Sequence, residues 1–152
     1  MQPTVFEYFD IEQLSTRQLH KIYQLRQEVF IVEQDCVYQD CDDIDLAAKH
    51  VLGLTDKQFS SYCRIYTDGR SVHIGRVLVS KSFRHQGIAR LMMTRVIEFI
   101  GTYYPNYQFV ALSAQSYLIP FYASFGFSSI GDAHVEDGIP HQNMERKLAG
   151  IS

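Results

Sequence analysis

The chain has 152 residues, of which 46% are hydrophobic and 20% are charged, and its formal net charge is −3. This length and composition predict one globular domain, 1–152, and exclude a disordered protein. The negative charge argues against a nucleic-acid binder, because neutralising phosphates requires a basic face.

The first elements predicted are a strand and a helix. Aromatic or β-branched residues alternate with polar ones over residues 4–9, as in a half-buried strand. Ser15 and Gln18 have the spacing of a capping box, and apolar side chains then recur at helical spacing over residues 19–30. The helical pattern ends near Glu33.

Three strands with two turns are predicted next. Residues 50–55 and 59–67 have strand patterns and are joined through residues 56–57. The Asp-Gly pair at residues 68–69 is a strong turn signal and leads into a third strand at 72–80. The three strands are expected to form an antiparallel meander.

A second helix and a buried strand follow the meander. Apolar residues at helical spacing predict a helix over residues 88–100, which Gly101 and then Pro105 are expected to end. The short apolar run at 109–114 predicts a buried strand.

The last part of the chain predicts a short helix and two strands. Pro120 suits the first turn of a helix with its body at 121–125, and Gly126 suits the C-terminal cap. Strands are expected at 127–135 and 141–148.

An anion-binding turn is predicted directly after the third strand of the meander. Residues 84–89 read R-H-Q-G-I-A and open the second helix. The N–H groups of a helix's first turn lack intrahelical partners and lie at the positive end of the dipole, so they suit a phosphate. Gly87 lets a ligand approach the backbone closely. The spacing matches neither the dinucleotide fingerprint nor a Walker loop.

This loop, with F-Y-A-S-F-G-F at 121–127, resembles the acetyl-CoA pyrophosphate loop and the downstream motif of the GNAT acyltransferase superfamily. Residues 29–40, 75–80 and 136–141 resemble its ElaA-type branch, with V-F-I-V-E-Q and D-G-I-P-H as the most specific segments. The resemblance implies an α/β fold of the α+β kind. Its mixed central sheet is splayed between the fourth and fifth strands and is flanked by helices.

The resemblance also implies a function. It predicts an enzyme that moves an acetyl group from acetyl-CoA, as cosubstrate, to a primary amine by direct attack in a ternary complex, without a metal. Polyamines, amino acids, aminoglycosides and peptide or protein amines all stay open as acceptors. The alternatives are a non-catalytic acyl-CoA-binding or sensor module, a nucleotide-binding α/β domain, and an acyl-homoserine-lactone synthase. The short chain and the intact loop disfavour the synthase.

The resemblance assigns the cofactor site to the splaying strand, to the glycine-containing loop, and to the side chains of Gln115 and Phe121. The splaying strand would present main-chain groups to the pantetheine arm and the thioester oxygen through Val77, Leu78 and Val79. The pyrophosphate cradle would comprise Arg84, His85, Gln86, Gly87, Ile88, Ala89 and Arg90. Gln115, where many family members have asparagine, is expected to contact the pantetheine arm. Phe121 is counted with the cofactor-binding residues, although packing is its more ordinary role.

Tyr122 holds the motif position of a general acid, and a phenol with a pKa near 10 keeps its proton at neutral pH.

The residue that acts as general base is less clearly indicated by the sequence. Glu33, at the end of the first helix, and His50, at the start of the second strand, are the candidates. Asp45 and His141 rank after them as candidates and are assigned to acceptor binding. A water chain without a single essential base is the alternative.

The acidic span, residues 33–45, contains no lysine or arginine. Its carboxylates belong to Glu33, Asp35, Asp40, Asp42, Asp43 and Asp45. In the family this region flanks the acceptor pocket, so the span is predicted to attract a cationic amine through its negative field. A solvated loop is the other interpretation.

The sequence also predicts the compartment and the partners. No signal peptide or membrane helix is recognised, so we expect a cytoplasmic protein with no membrane partner. The odd number of cysteines predicts reduced thiols. A zinc site built on Cys36, Cys41, His50 and Cys63 lacks a close C-x-x-C pair and is not expected. By analogy with the fold class, edge strands after Phe127 are expected to allow a homodimer.

Overall fold

The structure is a computed structural model and describes residues 3–148. The strands are β1 (Thr4–Asp10), β2 (Lys49–Thr55), β3 (Gln58–Thr67), β4 (Ser71–Val79), β5 (Phe109–Gln115), β6 (Ser128–Ser129), β7 (His134–Glu136) and β8 (Ile139–Lys147). The helices are α1 (Thr16–Arg26), a π-helical segment (Gln27–Glu33), α2 (Ile44–Ala47), α3 (Ile88–Tyr103) and α4 (Ile119–Ala123). Single 3-10 turns lie at Ile11–Gln13, Lys81–Phe83 and Ser116–Leu118. No helix within residues 3–148 is long and apolar enough to span a bilayer.

The strands form a mixed sheet in the order β1-β2-β3-β4-β5-β8-β6, with β7 also paired to β8. The β1–β2, β2–β3, β5–β8, β6–β8 and β7–β8 pairs are antiparallel. Strands β4 and β5 are parallel and are paired from Ser71 with Phe109 to His73 with Ala111. The predicted mixed sheet and the helices that flank it are therefore confirmed.

The chain divides into two compact units. The first unit comprises residues up to Tyr66 together with Arg76–Met92, and the second comprises Thr67–Gly75 and the residues from Met93 onward. The boundaries fall before the last residue of β3, inside β4 and inside α3. The expectation of a single domain therefore stays a prediction.

The core of the first unit forms around α1. The helix begins with the predicted capping box: Ser15 Oγ accepts from the Gln18 N–H at 3.1 Å, and the Ser15 N–H donates to Gln18 Oε1 at 2.9 Å. Such a cap contributes about 1 kcal/mol. The apolar face then packs in a buried cluster of Ile22, Leu25, Phe30, Leu52, Tyr62 and Leu78.

The predicted first helix changes type before it ends. After Arg26 the α-helix gives way to the π-helical turns of Gln27–Glu33. A π-helix is rare, and it occurs frequently at functional sites. The wider turn changes the direction in which later side chains leave the helix, and Glu33 is the last of them.

In the second unit the β5 and β8 strands have one buried and one polar face. Val110, Leu112 and Ala114 of β5 and Met144 of β8 are buried, whereas Ser113 is exposed. Side chains alternate between the faces of a strand, so this pattern separates an apolar face from a polar one.

Two predicted boundaries in this unit are wrong. Helix α3 continues through Gly101 to Tyr103, because a glycine with ordinary helical backbone does not by itself end a helix. The strand expected at 127–135 is divided into β6 and β7. Between them Gly131 has a φ of 68°, a left-handed conformation that interrupts a strand.

Candidate active site

The predicted acyl-CoA strand contains one strained residue. Arg76 has a φ of 52°, a left-handed conformation that costs a residue other than glycine about 1–3 kcal/mol. It lies directly before Val77–Val79 in β4. Its side chain holds this conformation, since Nε donates to Asp40 Oδ1 at 2.8 Å and Nη2 donates to the Asp40 carbonyl at 3.0 Å. The guanidinium also lies 5.4 Å from the centroid of the Tyr38 ring.

The turn before α3 has the backbone of an anion site. His85 and Gly87 have φ values of 64° and 78°, and α3 begins at Ile88. The Leu91 N–H donates to the Gly87 carbonyl at 3.1 Å, so the N–H groups of the preceding first turn have no acceptor within the helix. No heavy atom of the described residues beyond its chain neighbours lies within 4 Å of a Cβ built on Gly87. A ligand can therefore approach this backbone.

Arg84 connects this turn to the π-helical segment. Its Nε donates to the Val79 carbonyl at 3.0 Å, while Nη1 and Nη2 donate to Glu33 Oε2 and Oε1 at 2.6 and 2.7 Å. The hydrogen bonds from Arg84 lower the pKa of Glu33. A carboxylate held in this way is a weaker proton acceptor, so the geometry favours a positioning role for Glu33.

His50 is fully buried, and both of its ring nitrogens are engaged. Nε2 lies 2.9 Å from the Asp45 carbonyl and Nδ1 lies 2.6 Å from the Tyr62 hydroxyl. A carbonyl only accepts, so in the neutral ring Nε2 carries the proton and Nδ1 accepts from Tyr62. Burial lowers the pKa of His50, which favours this neutral form. The arrangement favours a structural role, because a general base needs an open lone pair.

A buried ionic cluster takes up much of the acidic span. Arg26 is fully buried and donates to Asp40 at 2.8 Å and to Asp45 at 2.7 Å. Arg64 donates to Asp42 at 2.6 Å and to Asp45 at 3.0 Å. The ionic cluster comprises Arg26, Asp40, Asp42, Asp45, Arg64 and Arg76.

The charges in this cluster compensate one another. Burial would raise the pKa of Asp45, but hydrogen bonds from Arg26 and Arg64 outweigh it and the pKa is lowered. The prediction of an open negative field is therefore wrong for Asp40, Asp42 and Asp45. Their arginines come from α1, β3 and β4, outside the acidic span. Asp45 is 1% exposed and faces these arginines, which leaves it poorly placed for an acceptor.

In the second unit, the F-Y-A-S-F-G-F motif forms α4 and the turn after it. Pro120 lies in the first turn, and Gly126 has the left-handed φ of 88° expected of a helix end. Tyr122 is buried, and its ring meets the rings of Phe121 and Phe127 edge to face. Phe121 packs against Tyr122, as expected.

One face of strands β5, β7 and β8 is polar. Gln115 lies opposite His141, and His141 lies opposite His134, so these three side chains form a row across the strands. Ser113 and Asn143 form the next row. The polar face comprises Ser113, Gln115, His134, Glu136, His141 and Asn143.

Hydrogen bonds order the polar face. Glu136 Oε2 accepts from the Ser113 hydroxyl and from His134 Nε2, the latter at 2.5 Å. The rings of His134 and His141 stack with centroids 6.2 Å apart. His141 Nδ1 lies 2.7 Å from the Ile139 carbonyl, and its Nε2 has no hydrogen-bond partner within residues 3–148. Burial would raise the pKa of Glu136, but hydrogen bonds from Ser113 and His134 lower it.

Sequence reasoning missed Ser113, His134 and Glu136. The available signal was the Asp-Gly pair at 137–138, which has φ values of 50° and 80° and closes the β7–β8 hairpin. Two residues of positive φ form a type I′ turn. That turn fixes the register and places His134 opposite His141.

The relatives of the chain identify its family. The family described as the acetyltransferase (GNAT) domain matches residues 12–148. The chain belongs to the GNAT acetyltransferase family. It is 40% identical to protein ElaA of Escherichia coli over 141 residues, which cover 90% of this chain and 92% of ElaA.

Two solved structures support this membership of the GNAT family. The crystal structure of Escherichia coli ElaA matches with a TM-score of 0.88 and 36% identity, over 95% of this chain and 99% of that one. An acyl-CoA N-acyltransferase from Pseudomonas aeruginosa matches with a TM-score of 0.89 and 33% identity, over the same shares. The predicted GNAT fold and the ElaA-type resemblance are therefore confirmed.

Proposed function

We propose that this GNAT protein is an acetyl-CoA-dependent enzyme that acetylates a primary amine. The observation that carries the proposal is the turn before α3. His85 and Gly87 have left-handed backbone there, and the approach to Gly87 is open. The first-turn N–H groups of a 16-residue helix then suit the pyrophosphate of acetyl-CoA.

In the proposed reaction the amine nitrogen attacks the thioester carbonyl carbon, a C–N bond forms and the C–S bond breaks. The main chain of Val77–Val79 would bind the pantetheine arm and the developing negative charge on oxygen. The residue that fixes the direction of this segment is Arg76, which Asp40 holds by two hydrogen bonds. We therefore assign Arg76 and Asp40 positioning roles.

Tyr122 is proposed as the general acid that gives a proton to the departing thiolate. It holds the family's motif position, and a phenol keeps its proton at neutral pH.

Neither Glu33 nor His50 is retained as the general base. Arg84 binds the Glu33 carboxylate, and both ring nitrogens of His50 are engaged in hydrogen bonds. Asp45 is not retained as an acceptor ligand, since Arg26 and Arg64 bind it.

Ligand binding tests the cradle. Acetyl-CoA, CoA, longer acyl-CoAs, ATP and NAD are titrated by calorimetry and thermal shift against the wild type, Gly87→Glu and Gly69→Glu. Gly69 is a suitable control, because a Cβ there would meet no atom within 4 Å and its φ is not left-handed. We expect about 2.7 kcal/mol of stabilisation at 100 times the dissociation constant. Gly87→Glu should lose this effect and Gly69→Glu should keep it.

Turnover separates an enzyme from a binding module. In an assay of thiol release, Tyr122→Phe should lower kcat about 100-fold while the affinity for acetyl-CoA stays within twofold. Wild-type protein that binds acetyl-CoA but releases no thiol would be a sensor or binding module. No binding of any acyl-CoA would contradict the proposal as a whole.

A further inference from the structure

We propose that the polar face of β5, β7 and β8 binds the acceptor amine, and that His141 is the general base that takes its ammonium proton. This inference rests on the proposed function and deepens it. The acceptor class is a polar primary amine in its ammonium form. His134 and Glu136 are positioning residues in this account, and the acidic span has no direct part in it.

The register of the strands supports this location. His141 lies directly opposite Gln115, the residue at the end of β5 that the family resemblance assigns to the pantetheine arm. Directly opposed residues of antiparallel strands have Cβ atoms about 4.5–5.5 Å apart. An acceptor nitrogen at His141 would therefore lie beside the arm that carries the acetyl group.

The hydrogen bonds of His141 suit a base. The Ile139 carbonyl can only accept, so in the neutral ring Nδ1 carries the proton. The lone pair then lies on Nε2, which is without a hydrogen-bond partner within the described part of the chain. The side chain is also partly exposed, so an amine can reach it. His50 has the opposite arrangement, with both nitrogens bonded in a fully buried site.

The neighbours of His141 hold it in place. The His134 ring stacks against it, and His134 is fixed by Glu136, which also accepts a hydrogen bond from Ser113 of β5. These contacts connect the β7–β8 hairpin to β5. The carboxylate of Glu136 also gives the face one negative charge that can attract an ammonium group.

The protons of the reaction balance in this arrangement. An amine enters as R–NH3+ and gives one proton to His141 Nε2, which later returns it to solvent. The neutral nitrogen attacks the carbonyl carbon and forms the C–N bond. When the C–S bond breaks, sulfur takes the electron pair and a proton from Tyr122, and the second proton of the nitrogen restores the phenol. The products are R–NH–acetyl, CoA thiol and one released proton.

Thiol release from acetyl-CoA tests the inference. The acceptor probes are ethanolamine, putrescine and free lysine. Water, which would hydrolyse acetyl-CoA, is measured as a fourth acceptor. His141→Gln should lower kcat about 100-fold, with the KM of acetyl-CoA within twofold of the wild type. His20→Gln is the matched control, because His20 is exposed on α1 and has no assigned role. It should retain the wild-type kcat.

Two further measurements separate a base from a structural residue. Added imidazole should restore a substantial part of the kcat of His141→Ala, because it supplies the missing base, and it should not change His20→Ala. The Glu136→Gln variant keeps His141 but removes the carboxylate that fixes His134, and it should lower kcat about tenfold. In the wild type, ¹⁵N spectra should show His141 protonated at Nδ1 and unprotonated at Nε2.

The outcomes distinguish the inference from the proposed function. A folded His141→Gln variant with a kcat within threefold of the wild type would overturn the inference alone. The opposite tautomer of His141 in the ¹⁵N spectra would also overturn it. Wild-type protein that binds no acetyl-CoA would overturn the proposed function and the inference together. Binding without thiol release to any amine or to water would overturn the enzyme proposal and leave a binding module.

Discussion

Two polar regions of this protein differ in what their charges are free to do. In the ionic cluster of the first unit, Arg26 is fully buried and every carboxylate is bound by at least one arginine. On the polar face of the second unit, the side chains are exposed or half-buried, and His141 Nε2 has no hydrogen-bond partner among residues 3–148. The first region holds the chain in place, whereas the second has the chemistry to receive a proton.

The difference shows that a run of charges in a sequence does not by itself indicate a binding site. Buried charges require partners, and breaking such a pair leaves an uncompensated charge in a poorly solvated site. The acidic span contains no basic residue, yet Arg26, Arg64 and Arg76 reach it from three other elements. Within the span, Asp40 holds the left-handed residue of β4 by two hydrogen bonds, and Asp42 and Asp45 are bound by Arg64.

The largest effect is expected in the ionic cluster. Asp45→Asn should lower the free energy of unfolding by about 3–5 kcal/mol, because it removes the buried carboxylate that Arg26 and Arg64 share and leaves each arginine with one carboxylate fewer. Urea denaturation followed by circular dichroism measures this change. Asp43→Asn is the control, because Asp43 is exposed and lies two residues away. A loss below 1 kcal/mol for Asp45→Asn would show that the cluster does not hold the unit together.

Acid should destabilise the first unit in two stages, first through His50 and then through the ionic cluster. The pKa of His50 is lowered from 6.5 by burial, so its contribution to stability is present above pH 6.5 and is lost as the pH falls through the lowered value. The pKa of Asp45 is lowered from 3.8 despite its burial, because of hydrogen bonds from Arg26 and Arg64. Its contribution is present above pH 3.8 and is lost as the pH falls further. Urea midpoints at pH 7, 5 and 3 should decrease in that order, and equal midpoints would contradict the assignment.

A smaller effect on the free energy of unfolding is expected at Arg76, the residue of β4 with left-handed backbone. Arg76→Ala and Arg76→Gly both remove the hydrogen bonds to Asp40, but glycine accepts the φ of 52° without strain. The glycine variant should therefore be about 1 kcal/mol more stable than the alanine variant in urea. Both variants should bind acetyl-CoA more weakly than the wild type. Equal stability of the two would indicate that the chain relaxes at this position once the side chain is removed.

Local signals predicted most of the fold. The capping box at Ser15, the Asp-Gly turn at 68–69 and the alternation of the strands each depend on neighbouring residues, and each is present in the structure. The R-x-x-G-x-A loop also lies at a strand-to-helix turn, as predicted.

The features that sequence reasoning missed depend on distant partners. The π-helical turns after Arg26 cannot be read from periodicity, because their apolar pattern is that of an ordinary helix. The partners of the acidic span lie in α1, β3 and β4, so no local pattern could pair them. The division of the strand at 127–135 follows from the left-handed backbone of Gly131. The sequence predicts His50 as a candidate base and His141 as a residue that binds the acceptor, and only the hydrogen bonds of the folded chain show that both ring nitrogens of His50 are engaged.

The most direct test compares these two histidines in one experiment. His50→Gln and His141→Gln are measured side by side for urea stability and for kcat of thiol release from acetyl-CoA, at a temperature where both are folded. We expect His50→Gln to lose about 1–3 kcal/mol of stability and to keep its kcat, because it removes a buried hydrogen-bonded group. His141→Gln should keep its stability and lose about 100-fold in kcat. A loss of kcat in His50→Gln, with His141→Gln unaffected, would contradict the assignment of His141 as the general base.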